Sequence, residues 1–448
     1  MKTMLFRGLM VAAALALAPA AQAVTLEQAV QAALDNSPTL QAATAKIDAA
    51  QAMLRQAKSY YYPSVGLAAN YSVSDNPIQT FMMELNQRQM NMMAPDFDPN
   101  DPEDTDNLRG SITAQWRLFD VQRAAGNAMA RLGSQASAEA FAAARNQLVH
   151  DVTRGFYGVL QAQAFAAVQE QAVQSIEESL RVARERFEAG GAVKTDVLNL
   201  ETQLAQANED LIKARNGAQL ALAALNAGIG DDLVTADNIE APDRRALNAP
   251  PPVCTNPTAF EQRPEMRAAT LMRQIKEQDV RKAKGGYTPT LSAFGSFDAD
   301  SGNARDFENS YVAGVMAEIN IFDGARTRAA VQAAQAELAA AQADEAKARL
   351  NLRLDLQQAF LGSQEAWERL EVTRKSLETA EEARRIVQEQ YQQGAADIAI
   401  LLQTQVGVTA MQTRYAAAQY DYLTALSNLK RAKGLLGNEP AAATTPNP

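Results

Sequence analysis

Two aspartates beside glycine turns are the residues of this sequence whose type and position favour ion chemistry. Asp196 lies six residues after Gly190, and Asp397 lies three residues after Gly394. Several like carboxylates around a narrow opening attract cations and resist full ionisation. Asp196 and Asp397 would charge such an opening if an assembly of several chains placed the two turns around one. The alternative is that both are ordinary acids at helix starts.

The loop from Asp75 to Asn107 contains two groups of potential metal ligands. Its acidic part, residues 96–106, begins like a calcium loop, but Asp101 stands where that loop requires glycine. Its methionine-rich part, residues 82–93, offers thioethers of the kind that bind Cu(I), although methionines also fill adaptable surfaces without metal. We predict no metal centre and no cofactor, and ion binding by this loop stays open. The residues are Met82, Met83, Met90, Met92, Met93, Asp96, Asp98 and Asn100.

Residues suited to catalysis are scarce. The chain has one histidine, His150, and one cysteine, Cys254. A metal centre needs more such ligands, and the sequence contains no phosphate-binding loop and no nucleophile elbow. We interpret His150 as a packed or solvated helix residue and predict that the protein is not an enzyme.

The first 23 residues have the pattern of a secretory signal. Lys2 and Arg7 precede an apolar run over residues 9–18, and Ala-Gln-Ala follows at 21–23. No later apolar run approaches the roughly 18 residues of a membrane-spanning helix. The net charge of −10 argues against nucleic acid as a partner. We expect an exported envelope protein without a helical membrane anchor.

Hydrophobic periodicity predicts a mainly α protein with some β structure. Helical spacing covers residues 25–58, with a break at Ser37-Pro38, and later residues 121–187 and 195–225. Apolar and polar residues alternate with a period of two from Ser64 and again up to Phe119. The same succession then recurs in the second half of the chain.

The alternating segments carry their apolar residues on one face, as strands of a membrane barrel do. A half-buried soluble hairpin would show the same alternation. Four strands are too few to close a barrel, and lipid does not tolerate an open sheet edge, so we expect about eight strands from a dimer or twelve from a trimer. The predicted lipid-facing residues are Val65, Leu67, Tyr71, Ile112, Trp116, Leu118, Leu291, Phe297, Val315, Ile319 and Ile321.

The duplication extends to the glycine turns. Phe187 and Tyr391 are matched at a spacing of 204 residues, the difference between their numbers, and Gly190 with Gly394 and Leu198 with Leu402 have the same spacing. We divide the chain into a signal peptide (1–23), a first repeat (24–230), an equatorial connector (231–258), a second repeat (259–437) and a disordered tail (438–448).

This duplicated unit resembles the TolC family of outer membrane efflux and export channels over essentially the whole mature chain. Each motif is weak by itself, but two copies in the same order are specific. Besides the two glycine turns, the motifs are Ser37-Pro38-Thr39-Leu40, Tyr62-Pro63-Ser64-Val65, Tyr287-Thr288-Pro289-Thr290, Trp116-Arg117-Leu118-Phe119-Asp120 and Ile319-Asn320-Ile321-Phe322-Asp323.

The resemblance implies a homotrimer in the outer membrane. Its fold would be a periplasmic α-barrel of twelve long helices joined to a transmembrane β-barrel of twelve strands, four from each chain. Family members work with a periplasmic adaptor, also called a membrane fusion protein, and an inner membrane pump. The expected function is a passive conduit to the exterior in tripartite efflux or type I secretion.

The resemblance also places the two turns at the periplasmic tip, where the tunnel narrows and the adaptor docks. Asp397 can cap its helix, whereas Val193 has no capping side chain and Thr195 could move the cap by two residues. The acidic ring that closes some members would fall on Ile400 and Gln403, which are not acidic. The predicted tip residues are Phe187, Gly190, Gly191, Thr195, Asp196, Leu198, Tyr391, Gly394, Asp397, Ile400, Leu402 and Gln403.

A soluble periplasmic coiled-coil adaptor or structural protein is the alternative from another class. Such a protein would carry a soluble β-domain in place of four matched strands. Within the channel interpretation the cargo stays open, with metal ions as an alternative to drugs, a secreted polypeptide or small metabolites.

Overall fold

The computed structural model describes residues 23–93, 97–242, 245–252 and 258–436. The predicted tail and all but the last residue of the predicted signal peptide lie outside these ranges. The described residues form two compact units. One comprises the described residues within the ranges Met1–Pro38, Arg145–Asn256 and Leu356–Pro448, and the other comprises those within Thr39–Ala144 and Pro257–Asp355. Each unit draws on both halves of the chain, so the repeats are not separate compact bodies, and their boundaries stay a prediction.

The succession of helices and strands is nearly the same in the two halves. The first half contains α1 (Leu26–Asn36), α2 (Pro38–Ser59), β1 (Ser64–Ser74), α3 (Pro77–Asn86), β2 (Thr105–Phe119), α4 (Val121–Glu188) and α5 (Lys194–Ile229). The second half contains α6 (Pro264–Lys284), β3 (Thr290–Ser301), β4 (Glu308–Glu318), α7 (Arg326–Gln392) and α8 (Ile398–Ala432). The predicted class, mainly α with four strands, is confirmed.

The break between the first two helices follows from local chemistry. The Thr25 hydroxyl accepts the Gln28 N–H at 3.2 Å, and the Gln28 side chain accepts the Thr25 N–H at 3.0 Å, which makes a capping box. Ser37 ends α1 in an extended conformation. Pro38 then begins α2, where its missing N–H costs nothing. The predicted interruption is confirmed.

The four strands form one antiparallel sheet in the order β1-β2-β3-β4. Its register aligns one row of large apolar side chains across all four strands: Leu67 pairs with Ile112, Ile112 with Phe297, and Phe297 with Tyr311. All four side chains are exposed in the single chain. The strands β1 and β4 are the two edges of this sheet.

Two predicted strand residues lie outside the strands, and a third is displaced in register within its strand. Ile319 and Ile321 follow the end of β4, because Glu318 pairs with Thr290 and the preceding Pro289 has no N–H to extend the ladder. A bulge at Arg117 to Phe119 places Phe119, and not Leu118, opposite Leu291.

Helix α3 lies within the long first loop, where the sequence analysis predicts no helix. The signal was present. The Asn76 side chain accepts the N–H groups of Ile78 and Gln79, and Pro77 is the first helical residue. Apolar residues then follow at helical spacing, at Ile78, Met82 and Leu85.

The connector is attached to the helices by specific contacts. Val24 pairs with Ile239 as an isolated bridge. The side-chain amide of Asn226 donates to the Val234 carbonyl and accepts the Val234 N–H. The buried Tyr422 of α8 donates its hydroxyl to the Ala249 carbonyl at 2.5 Å. Among the described residues no helix is long and apolar enough to cross a membrane.

Candidate functional site: the paired helical turns

The two glycine turns have the same backbone geometry. Gly190 and Gly394 adopt φ values of 76° and 77°, in the left-handed region that favours glycine. Gly190 donates to the Phe187 carbonyl and Gly394 to the Tyr391 carbonyl, both at 3.0 Å. These bonds satisfy carbonyls at the ends of α4 and α7. The matched spacing in the sequence therefore corresponds to a matched turn.

The helices that follow the turns begin differently. Asp397 is the N-cap of α8, and its carboxylate accepts the Ala399 N–H at 3.2 Å. Val193 is the N-cap of α5 and makes no side-chain capping bond. Thr195 lies inside α5, so the predicted two-residue shift of the cap is wrong: the chain enters helical geometry at Lys194, before that hydroxyl can cap it.

The matched aromatic residues lie in different environments. Phe187 is 43% exposed, whereas Tyr391 is 4% exposed. Tyr391 belongs to a buried cluster with residues of α4, α5 and α8, among them Ala183, Leu200 and Leu401. The two hairpins thus pack against each other through the aromatic residue of the second turn.

Arg186 joins the two turns. Its guanidinium donates to the Tyr391 carbonyl at 2.6 Å and to the Gly191 carbonyl at 3.3 Å. It also lies 5.0 Å from the centre of the Tyr391 ring, within the range of a cation–π contact. A Cβ atom added to Gly394 would come within 3.3 Å of the Arg186 side chain. One cation therefore binds both turns.

Tyr391 is the titratable group at the centre of this arrangement. Burial raises the pKa of its phenol; Arg186 acts in the opposite direction, and the carboxylates of Asp196 and Asp397 add to the rise. Among the described residues the structure shows no hydrogen-bond partner for its hydroxyl. Both predicted entrance aspartates thus act on one buried phenol in the same chain.

An exposed ion cluster near the end of α4 is repeated near the end of α7, shortly before each turn. Arg181 bonds Glu178 and Glu185, and Arg385, 204 residues later, bonds Glu382 and Glu389 in the same way. The hydrogen bonds from the arginines lower the pKa of Glu178 and of Glu382. These clusters are solvent-exposed, and exposed ion pairs contribute little to stability.

The predicted tip residues separate into buried and exposed sets. Tyr391 is buried and Leu402 packs against the same cluster. Arg186 and the two turns meet there, but the side chains of Leu198 and Ile400, on the helices that follow, are half exposed. The remaining exposed residues are Gly190, Gly191, Thr195, Gly394, Asp397 and Gln403, and Asp196 is intermediate.

Arg186 is the residue that sequence reasoning missed. The signal was a departure from the repeat, because the position 204 residues later is Gln390. The hydrogen bonds of Arg186 to both turns give this difference its meaning.

No metal centre forms among the described residues, where no group of three or more His, Cys, Asp and Glu side chains is placed to hold an ion. His150 is buried in α4. Asp96 and Cys254 lie outside the described residues, so the calcium-like pattern is not described as a whole.

Comparison with known proteins identifies the class that this duplicated hairpin fold defines. The family model described as outer membrane efflux protein matches residues 29–231 and 257–435. The chain belongs to the outer membrane efflux protein family, which confirms the prediction of an outer membrane efflux protein made from the repeated motifs. This family consists of channel proteins and not of enzymes.

Individual relatives agree with this assignment. The chain is 21% identical to the outer membrane protein TolC of Vibrio cholerae over 96% of its own length and 95% of that protein. It is 24% identical to the alkaline protease secretion protein AprF of Pseudomonas aeruginosa, covering 76% and 72% of the two chains. The crystal structure of VceC of Vibrio cholerae has the same fold, with a TM-score of 0.78 at 19% identity over 91% of this chain and 96% of that one.

Proposed function

We propose that three copies of this chain form an outer membrane channel that conducts cargo passively to the exterior. The observation that carries the proposal is the sheet: four strands with two open edges and one exposed apolar face. An open edge is not tolerated in lipid, and copies that pair edge to edge close it. Four strands from each of three chains make a barrel of twelve.

The apolar face is continuous once the register is considered. The row from Leu67 to Tyr311 is flanked by Val65, Trp116 and Val315, all exposed. Trp116 also donates its indole N–H to the Tyr61 carbonyl at 2.9 Å, which orients a ring with an apolar body and a polar edge. Such rings suit the border of the hydrocarbon layer. This face is the proposed lipid contact.

The paired turns are the proposed periplasmic entrance. In a trimer, six turns and three copies of Arg186 would surround it, with Asp196 and Asp397 supplying the carboxylates. The half-exposed side chains of Phe187, Leu198 and Ile400 are available to a periplasmic adaptor. The proposed channel is a passive conduit with no energy source of its own. An inner membrane pump therefore supplies the energy for transport.

The cargo class is proposed from the relatives. AprF is named for protease secretion and TolC as an outer membrane protein; a structural neighbour, CusC, is described as forming a transmembrane channel. Export of a polypeptide by type I secretion and efflux of small molecules therefore both fit a conduit of this family, with the adaptor and pump selecting between them.

Three measurements on the purified protein test the channel. Heat-modifiable migration on gels and native mass spectrometry are expected to give three copies per assembly, and planar bilayers are expected to show discrete conductance steps. A monomer that needs no detergent and conducts nothing would instead support the soluble coiled-coil alternative.

A further inference from the structure

The long first loop is folded against one particular face of the sheet. By register, Asn107, Arg109, Asp300 and Glu308 all lie on the face opposite to the apolar row. Residues at the end of α3 contact this polar face: the Gln87 amide donates to Asn107 Oδ1 at 3.0 Å and to the Asp106 carbonyl at 2.8 Å. Helix α3 therefore lies on the polar side.

A buried chain of polar contacts holds it there. Asn107 donates to Asp300 at 2.6 Å, and Arg109 donates to the same carboxylate oxygen at 2.7 Å. Gln87 and Asn107 are each 4% exposed and Asp300 is 1% exposed. Buried polar groups are costly when they lose a partner, so this contact is specific to one placement of the helix.

Two further contacts hold the two ends of α3 in this position. At the start of α3, the buried Thr80 donates its hydroxyl to the Ser74 carbonyl at 2.9 Å, which ties the helix to the end of β1. At its other end, Arg88 pairs with Glu308 of β4 at 3.0 Å. The Gln87 side chain also approaches the backbone so closely that a Cβ on Gly302 would lie 2.6 Å from its Oε1 atom.

We infer that α3 is a size-selecting element inside the outer opening of the channel, with Gln87 as the residue that positions it. The inference rests on the proposed function: in a membrane barrel the apolar face meets lipid and the polar face lines the lumen. A helix attached to the polar face at the loop end then occupies the lumen, and three copies narrow the outer opening.

The test measures access from outside to the polar face. In a Cys254→Ser background, Ser111→Cys supplies one thiol on that face, four residues along β2 from Asn107. Intact cells are labelled with a small maleimide and with a bulky polyethylene glycol maleimide. The ratio of the bulky to the small labelling rate reports the size of the outer opening. Gln87→Leu is expected to speed bulky labelling about tenfold relative to small labelling, since it removes a buried hydrogen-bonding side chain.

The matched control is Gln89→Leu, the same change two residues away on an exposed side chain. It is expected to leave the ratio unchanged. If Gln87→Leu does not assemble, Gly302→Ala displaces the same amide by steric contact and serves in its place. An equal labelling ratio in parent and assembled variant overturns the inference, whereas a parent protein that forms no conducting trimer overturns the proposed function.

Discussion

The two helical turns have the same backbone conformation but differ in the burial of their aromatic residue and in the capping of the helix that follows. Gly190 and Gly394 make the same left-handed turn with the same hydrogen bonds. The first turn exposes its aromatic residue and leaves its return helix uncapped, whereas the second buries its aromatic residue and caps its helix. The two copies therefore have the same turn geometry, and the second copy supplies the buried aromatic residue through which they pack.

The difference teaches where the hairpins depend on each other. Tyr391 lies in the shared cluster, and Arg186 reaches from the first hairpin to its carbonyl. The second turn is therefore held by its own buried aromatic residue, and the first turn is held to it through Arg186. Variants at matched positions should affect the protein unequally.

The largest expected effect is on packing. Tyr391→Ala should destabilise the hairpin pair by about 3–5 kcal/mol, the usual cost of truncating a buried aromatic side chain. Phe187→Ala, at the matched exposed position, should cost about 1 kcal/mol or less. Thermal unfolding of the trimer with protease digestion of the turns measures both. Equal losses would mean that the two aromatic residues are equivalent in the assembly.

The next effect concerns the link between the turns. Arg186→Ala should free the first turn and raise the open probability of the channel about tenfold, because it removes a part-buried charged donor. Gln390→Ala, at the repeat-matched exposed position, should change nothing. Bilayer recordings compare them, and Arg186→Lys should restore the behaviour only in part, since a single ammonium lacks the fork geometry of the guanidinium. Unaltered gating in assembled Arg186→Ala would remove the link from the mechanism.

Ion selectivity should change without a change in assembly. Asp196→Ala combined with Asp397→Ala should reduce cation selectivity and block by divalent cations, because it removes six carboxylates per trimer while Arg186 remains. Reversal potentials in a salt gradient measure this. Asn at both positions is the matched control for size. If cation selectivity is unchanged in both the alanine and the asparagine double variants, Asp196 and Asp397 act only as acids at helix starts.

The smallest expected effect is at the caps. Asp397→Ala should destabilise α8 by about 1 kcal/mol, and Val193→Asp should stabilise α5 by a similar or smaller amount by supplying the missing cap. Hydrogen exchange of the first turn of each helix measures the change. Opposite signs at the two positions are the expected result, and a shared sign would show that the caps do not account for the difference between the turns.

Much of the fold was predictable because its signals are local. The capping box at Thr25, the break at Pro38 and the long helices after Phe119 follow from hydrogen bonding and periodicity that neighbouring residues determine. The predictions were wrong where pairing with a neighbouring strand determines the strand end or the register. Ile321 alternates correctly but lies beyond the last pair, and Leu118 was displaced by a bulge.

The candidate site was predictable in part. Matched spacing found both glycine turns, and the capping aspartate Asp397 was found from its position three residues after Gly394. All of them bond backbone groups within a few residues of themselves. Matched spacing did not find Arg186, whose partner lies 205 residues away. It also treated Phe187 and Tyr391 alike, because burial depends on the neighbouring hairpin and not on the residue type.

The sequence by itself determined the duplicated unit, the two left-handed turns and the alternation of the strands, because each is encoded within a few residues by glycine conformation, capping and period. Only the tertiary structure decided which aromatic residue is buried, which arginine joins the turns and which face of the sheet receives α3. Those outcomes depend on contacts between residues far apart in the chain, where the free energy of a side chain is set by what packs against it.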